Sequence, residues 1–104
     1  MGRLATKRSK MEENIRDYLP LGTIVVLKGQ LQKLMIVSRA VLVGEDKTYF
    51  DYGACVYPIG VIEDKYIYFN RTDILQVVHA GYSDDADELL QKNIALGMEK
   101  LNIK

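Results

Sequence analysis

The chain has 104 residues, 48% hydrophobic and 27% charged, with 14 basic and 14 acidic side chains and a formal net charge of zero. That length fits one domain with a core of its own, and the apolar content excludes wholesale disorder. Balanced charge supplies no field to recruit nucleic acid or an acidic membrane, and leaves self-association unopposed by long-range repulsion.

One cysteine, Cys55, excludes an internal disulfide, whereas a small secreted domain usually carries several. No run approaches the ~20 apolar residues of a membrane span. The start, MGRLATKRSK, is basic but has no apolar segment after it, which is not the pattern of a secretory signal. The expectation is a cytoplasmic protein without membrane insertion, with residues 1–9 a flexible basic tail and 10–104 a single globular domain.

Met11, Ile15, Tyr18 and Leu19 fall at i, i+4, i+7 and i+8, the stripe of a short amphipathic helix. Ser9 is available as its cap, Glu12 and Glu13 suit the positive end of its dipole, and Pro20 stops it near Leu19. From Gly22 the period changes. Residues 23–28 and 34–37 are strand-like runs, apolar on both faces, joined by hairpin-loop residues 29–32. A turn at 44–46 leads into a third strand over 47–57, which Pro58 and Gly60 end. The charged turn 63–65 precedes a strand at 66–69, and residues 74–79 form a last short strand. Short links between five strands predict an antiparallel meander, bent into a small barrel or left as a sheet. Ile24, Val26, Leu34, Ile36, Ile67 and Phe69 are the expected core.

The chain closes in a longer helix. Ser83 or Asp84 caps it, Asp85, Asp87 and Glu88 load its first turn, and Ala86, Leu90, Ile94, Gly97 and Leu101 form its stripe. Leu89 and Met98 widen that stripe. The predicted class is therefore α+β: about five antiparallel strands, a short N-terminal helix and a longer C-terminal one.

Candidates for chemistry are few. A nucleophilic cysteine needs a base, and His79 is the only histidine. Cys55, however, sits mid-strand between Ala54 and Val56, where a small apolar filler belongs. One cysteine and one histidine do not make a zinc set, and the acidic residues 84–88 lack the alternation and turn glycine of a calcium loop. The glycines fit no phosphate-cradling motif, and Arg3, Lys7, Arg8 and Lys10 lack the aromatic neighbours of a nucleic-acid reader. No catalytic residue, metal site or cofactor is expected, and the protein is read as no enzyme.

Six of the seven tyrosines lie between residues 49 and 82. In an extended strand Tyr66 and Tyr68 share a face opposite Ile67 and Phe69. Tyrosine, apolar in body and polar at its tip, is enriched where proteins meet, and also completes core rims. Both readings stay open. Under the first, Tyr57, Tyr66 and Tyr68 with Leu89, Met98 and Leu101 of the terminal helix form a partner-binding surface.

LPLGTIVVLKG (19–29), KLMIVSR (33–39), DYGACVYPIG (51–60), IYFN and AGYSDDADE resemble, in order and spacing, a Firmicutes family described as a domain of unknown function. Its pattern runs L-P-L-G-S/T-V-V-x-L-K-G, K-x-L-M-I, D-Y-x(4)-Y-P-x-G, then G-Y before acidic residues. The likeness covers about residues 18 to 90, and Ser38 stands where glycine is expected. Members are encoded beside type VII secretion genes and LXG toxins. The resemblance implies a non-enzymatic accessory protein or chaperone that binds an LXG effector before export. The rival readings are an immunity protein that neutralises a toxin, a structural component of the secretion apparatus, and a small enzyme built on Cys55 and His79.

Overall fold

A computed structural model describes residues 18–101, and of Leu101 only the backbone. The expected tail at 1–9 and the expected helix over 11–17, with its cap Ser9, lie outside the described residues. Tyr18 and Leu19, read as the end of that helix, are not helical.

Five strands form one antiparallel sheet: β1 (Ile24–Leu27), β2 (Lys33–Val43), β3 (Thr48–Val56), β4 (Ile67–Phe69) and β5 (Ile74–His79). A 3-10 turn, Arg71–Asp73, precedes β5, and the helix α1 spans Asp85–Leu101. The strand order is β4-β3-β2-β1-β5. The first four strands are thus the expected meander, but β5 does not extend it; it returns to pair with β1. The sheet is open, with β4 and β5 as its edges, and is no closed barrel.

That order and a short link force curvature on the sheet. Residues 70–73 alone connect β4 to β5, at opposite edges. Fully extended, such a link spans at most about 17 Å. Four flat inter-strand gaps amount to about 19 Å. Since part of the link is wound into a 3-10 turn at ~2 Å per residue, a flat sheet is out of reach. Asp51 of β3 fastens the link. Its Oδ2 accepts from the Arg71 backbone N–H at 2.8 Å and Arg71 Nε at 3.4 Å, while its own N–H donates to Asn70 Oδ1 at 2.8 Å. At the far end of the link, the Lys28 N–H donates to the Asp73 carbonyl at 2.9 Å, beside the Leu27–Ile74 pair.

The core lies among β1, β2, β3 and β4. Val25 opposes Leu34, Ile36 opposes Ala54, and Tyr52 opposes Phe69, with the last two rings 5.5 Å apart. All six are buried, as is Leu27. Complete burial of a side chain such as Ile36 stabilises by roughly 1.5–3 kcal/mol. Of the expected core, Ile24, Leu34, Ile36 and Phe69 are buried. Val26 is half-buried because it points away from Val25, and Ile67 is exposed because it opens an edge strand. β2 runs well past the expected 34–37. An extra residue near Val37 and a positive φ at Ala40 (53°) interrupt its alternation, which hides its second half from a period-2 reading.

The chain divides into two compact units, Leu19–Asp84 and a second containing Tyr18 and α1. In the second, the Tyr18 hydroxyl donates to Met98 Sδ at 3.0 Å, and the Tyr18 N–H donates to Gln91 Oε1 at 2.9 Å. Gln91 Nε2 in turn donates to Asp87 Oδ2 at 3.1 Å, one helical turn back.

Candidate functional site

The motif residues of the sequence are tied to one another. In the stretch 51–60, Tyr52, Gly53, Ala54 and Cys55 are all buried. The Tyr52 hydroxyl accepts from the Leu19 N–H at 2.9 Å, joining D-Y-G to L-P-L-G. Thr23, fully buried, donates to the Pro20 carbonyl at 2.7 Å and accepts from the Gly81 N–H at 2.9 Å, joining L-P-L-G to A-G-Y. Gly81 is required there: a Cβ would press on the Leu21 carbonyl oxygen and lie 2.9 Å from the Thr23 nitrogen. These segments are scaffold.

Cys55 and His79 are not brought together. Cys55 opposes Met35, Met35 opposes Ile24, and Ile24 opposes His79. Three strand spacings, about 14 Å along the sheet, separate them. Cys55 is buried and His79 exposed, so no thiol–imidazole pair forms.

One stretch of the first unit is notably apolar at its surface. Tyr57, Ile59, Val61, Ile62, Tyr66 and Ile67 are all exposed, six large apolar side chains within eleven positions. The loop that carries them leaves β3 through a cis Tyr57-Pro58 peptide and turns at Gly60, whose φ is 93°. Its backbone is tied by the Gly60 N–H donating to the Val56 carbonyl at 2.7 Å and the Lys65 N–H donating to Ile62 at 3.0 Å. Glu63 and Asp64, both at positive φ, form the tip of the second turn. Those two hydrogen bonds order both turns of the loop while its apolar side chains stay exposed.

Beside this loop runs an open groove of about 520 Å³, walled by Val37, Val41 and Val43 of β2 on one side and by Val61, Tyr66 and Tyr68 on the other. Ser38 also lines the groove and is paired with Gly53 of β3. Gly53 has a steric reason. A Cβ there would collide with Ser38 Oγ and lie 3.1 Å from the Tyr68 ring, so glycine lets that ring settle onto the strand. Tyr66 and Tyr68 stand 6.4 Å apart, and Phe50 lies 5.8 Å from Tyr68.

The residues expected to bind a partner therefore separate into groups. Tyr57 and Tyr66 are exposed and Tyr68 half-buried, all three beside the apolar loop or groove. Leu89 is exposed on α1, in the other unit. Met98 is 6% exposed beneath the Tyr18 hydroxyl, so it packs internally and is no surface anchor. The side chain of Leu101 lies outside the described residues. Ile59, Val61 and Ile62 were not among the expected residues, since they fall between the strand end at Pro58 and Gly60 and the charged turn 63–65. An apolar run inside a loop, where polar residues are usual, was their signal.

Fold and surface together define a small antiparallel-sheet protein of the α+β class that exposes a cluster of apolar side chains and tyrosines between residues 57 and 67. The chain belongs to the family described as domain of unknown function (DUF4176), whose pattern matches residues 6–90. No curated protein and no solved structure matches it. No helix among the described residues is long and apolar enough to cross a membrane.

Proposed function

We propose that this protein is a non-enzymatic accessory protein, a chaperone, that binds an LXG effector of type VII secretion in the cytoplasm before export. The partner comes from the sequence resemblance. The observation that carries a binding role is the cluster of six exposed apolar side chains between residues 57 and 67, held on a hydrogen-bonded loop. Surface of this kind, with two exposed tyrosines in it, suits protein contact. The buried state of Cys55 and its separation from His79 count against the small-enzyme reading.

Co-expression with LXG proteins encoded beside it, followed by affinity purification, tests the proposal. The expected result is a stoichiometric complex with one of them. Failure to retain any of them contradicts it. A complex that inhibits the toxin's activity without aiding its export favours the immunity-protein reading.

A further inference from the structure

The helix α1 covers one face and leaves the opposite face open, and the open face carries an ordered pattern. Asp87, Gln91, Ile94 and Met98 are buried or half-buried, on the side where Tyr18 bonds Gln91 and Met98. At 3.6 residues per turn these four positions span an arc of about 60°. Asp85, Leu89, Leu96 and Lys100 span a second arc of about 60°, diametrically opposite the first. All four are exposed, Leu89 by 60% and Leu96 by 57%. Along the helix this stripe runs acid, leucine, leucine, base, so reversing its direction exchanges the charges and leaves the leucines in place.

We propose that this stripe pairs with the same stripe of a second copy, the two α1 helices running antiparallel about a two-fold axis. The inference goes beyond the binding role above and does not depend on it. Asp85 precedes Leu89 by the same interval at which Lys100 follows Leu96. One register therefore sets each Leu89 against Leu96 of the second copy and each Asp85 against its Lys100. Burying the leucines drives the contact, and the charges at its ends fix its direction. A parallel pair would set Asp85 on Asp85 and gather both acidic first turns, Asp85, Asp87 and Glu88. It would also align the two helix dipoles, which the antiparallel pair opposes. A uniformly acidic or basic partner would match one end of the stripe only. Lys92 and Glu99 lie along one margin, and Glu88 precedes Lys92 by one turn, the spacing at which opposite charges pair within a helix. The zero net charge of the chain adds no long-range repulsion between copies. Two leucines per copy make a small interface, so the dimer is weak and forms as concentration rises.

Sedimentation equilibrium of the full chain at rising concentration tests this. Wild type shows a reversible monomer–dimer equilibrium. Leu89→Gln and Leu96→Gln, which keep a good helix former at an exposed position, each weaken it by at least about tenfold. Asp85→Lys and Lys100→Asp each weaken it by roughly threefold or more, and the two together restore it, because each end regains an opposite pair. Circular dichroism checks that every variant keeps its helix. A wild type that stays monomeric up to about 1 mM overturns the proposal. So does a dimer indifferent to both leucine substitutions, or a double exchange as weak as either single reversal. If wild type stays monomeric while Leu89→Gln loses a retained effector, the stripe serves that effector; the proposal fails and the binding role stands. The dimer with these responses, and no effector retained, supports this contact and contradicts the binding role alone.

Discussion

Replacing Asp51 by alanine removes the fastening between β3 and the link that draws the two sheet edges together. The carboxylate accepts from the Arg71 backbone N–H at 2.8 Å and the Tyr49 hydroxyl at 2.8 Å, with Arg71 Nε at 3.4 Å. A hydrogen bond to a charged group contributes about 1.5–3 kcal/mol net. The Tyr49 bond adds about 1 kcal/mol, and the long, partly exposed Nε contact adds little. These groups share one carboxylate and do not add fully, so the expected loss is about 2–4 kcal/mol. For a domain of this size that lowers the melting temperature by roughly 10–25 °C. Thermal unfolding followed by circular dichroism reads it directly. Tyr49→Phe, which removes one donor and leaves the link fastened, should lose only about 1 kcal/mol. An Asp51→Ala variant within about 0.5 kcal/mol of wild type would falsify the claim that this carboxylate holds the sheet's curvature.

Three further outcomes follow from particular contacts. Gly81→Ala should destabilise by about 2 kcal/mol or more, because its new methyl meets the Leu21 and Thr23 backbone, which cannot swing aside as a side chain can; denaturant titration checks this. Gly97→Ala should raise stability by about 0.5–1 kcal/mol, since a Cβ there enters open space within α1 and alanine is the better helix former; an unchanged or lowered midpoint contradicts it. His79→Ala should leave both folding and partner binding intact, and loss of a partner complex by this folded variant would revive a role for the imidazole.

Much of the fold was legible because local signals agreed with it. Pro58 and Gly60 end β3 where punctuation placed the end, β5 keeps its expected limits, and acidic residues 84–88 mark the start of α1. The return of β5 to β1 was not legible, since a strand's partner depends on contacts distant in sequence and a four-residue link suggests the neighbouring edge. The bulged half of β2 was hidden by its broken alternation. Of the candidate surface, Tyr57, Tyr66 and Tyr68 were proposed from residue chemistry, and the structure leaves the first two exposed and Tyr68 half-buried. The groove beside them was not legible, because its lining comes from β2, the 57–66 loop and β4, which are distant in sequence and meet only in the folded sheet. Met98 misled for a related reason: its partner, Tyr18, is eighty positions away.

Calorimetric titration of any LXG protein that the proposed co-expression retains, into wild type and into Tyr66→Ala, tests the proposed binding surface most directly. Tyr66 is 40% exposed, so its truncation spares the core and the variant should melt as wild type does. The predicted result is tight association with wild type and affinity at least about tenfold lower for the folded variant. Equal affinity for the two would contradict the surface, and no heat of binding to wild type would contradict the function.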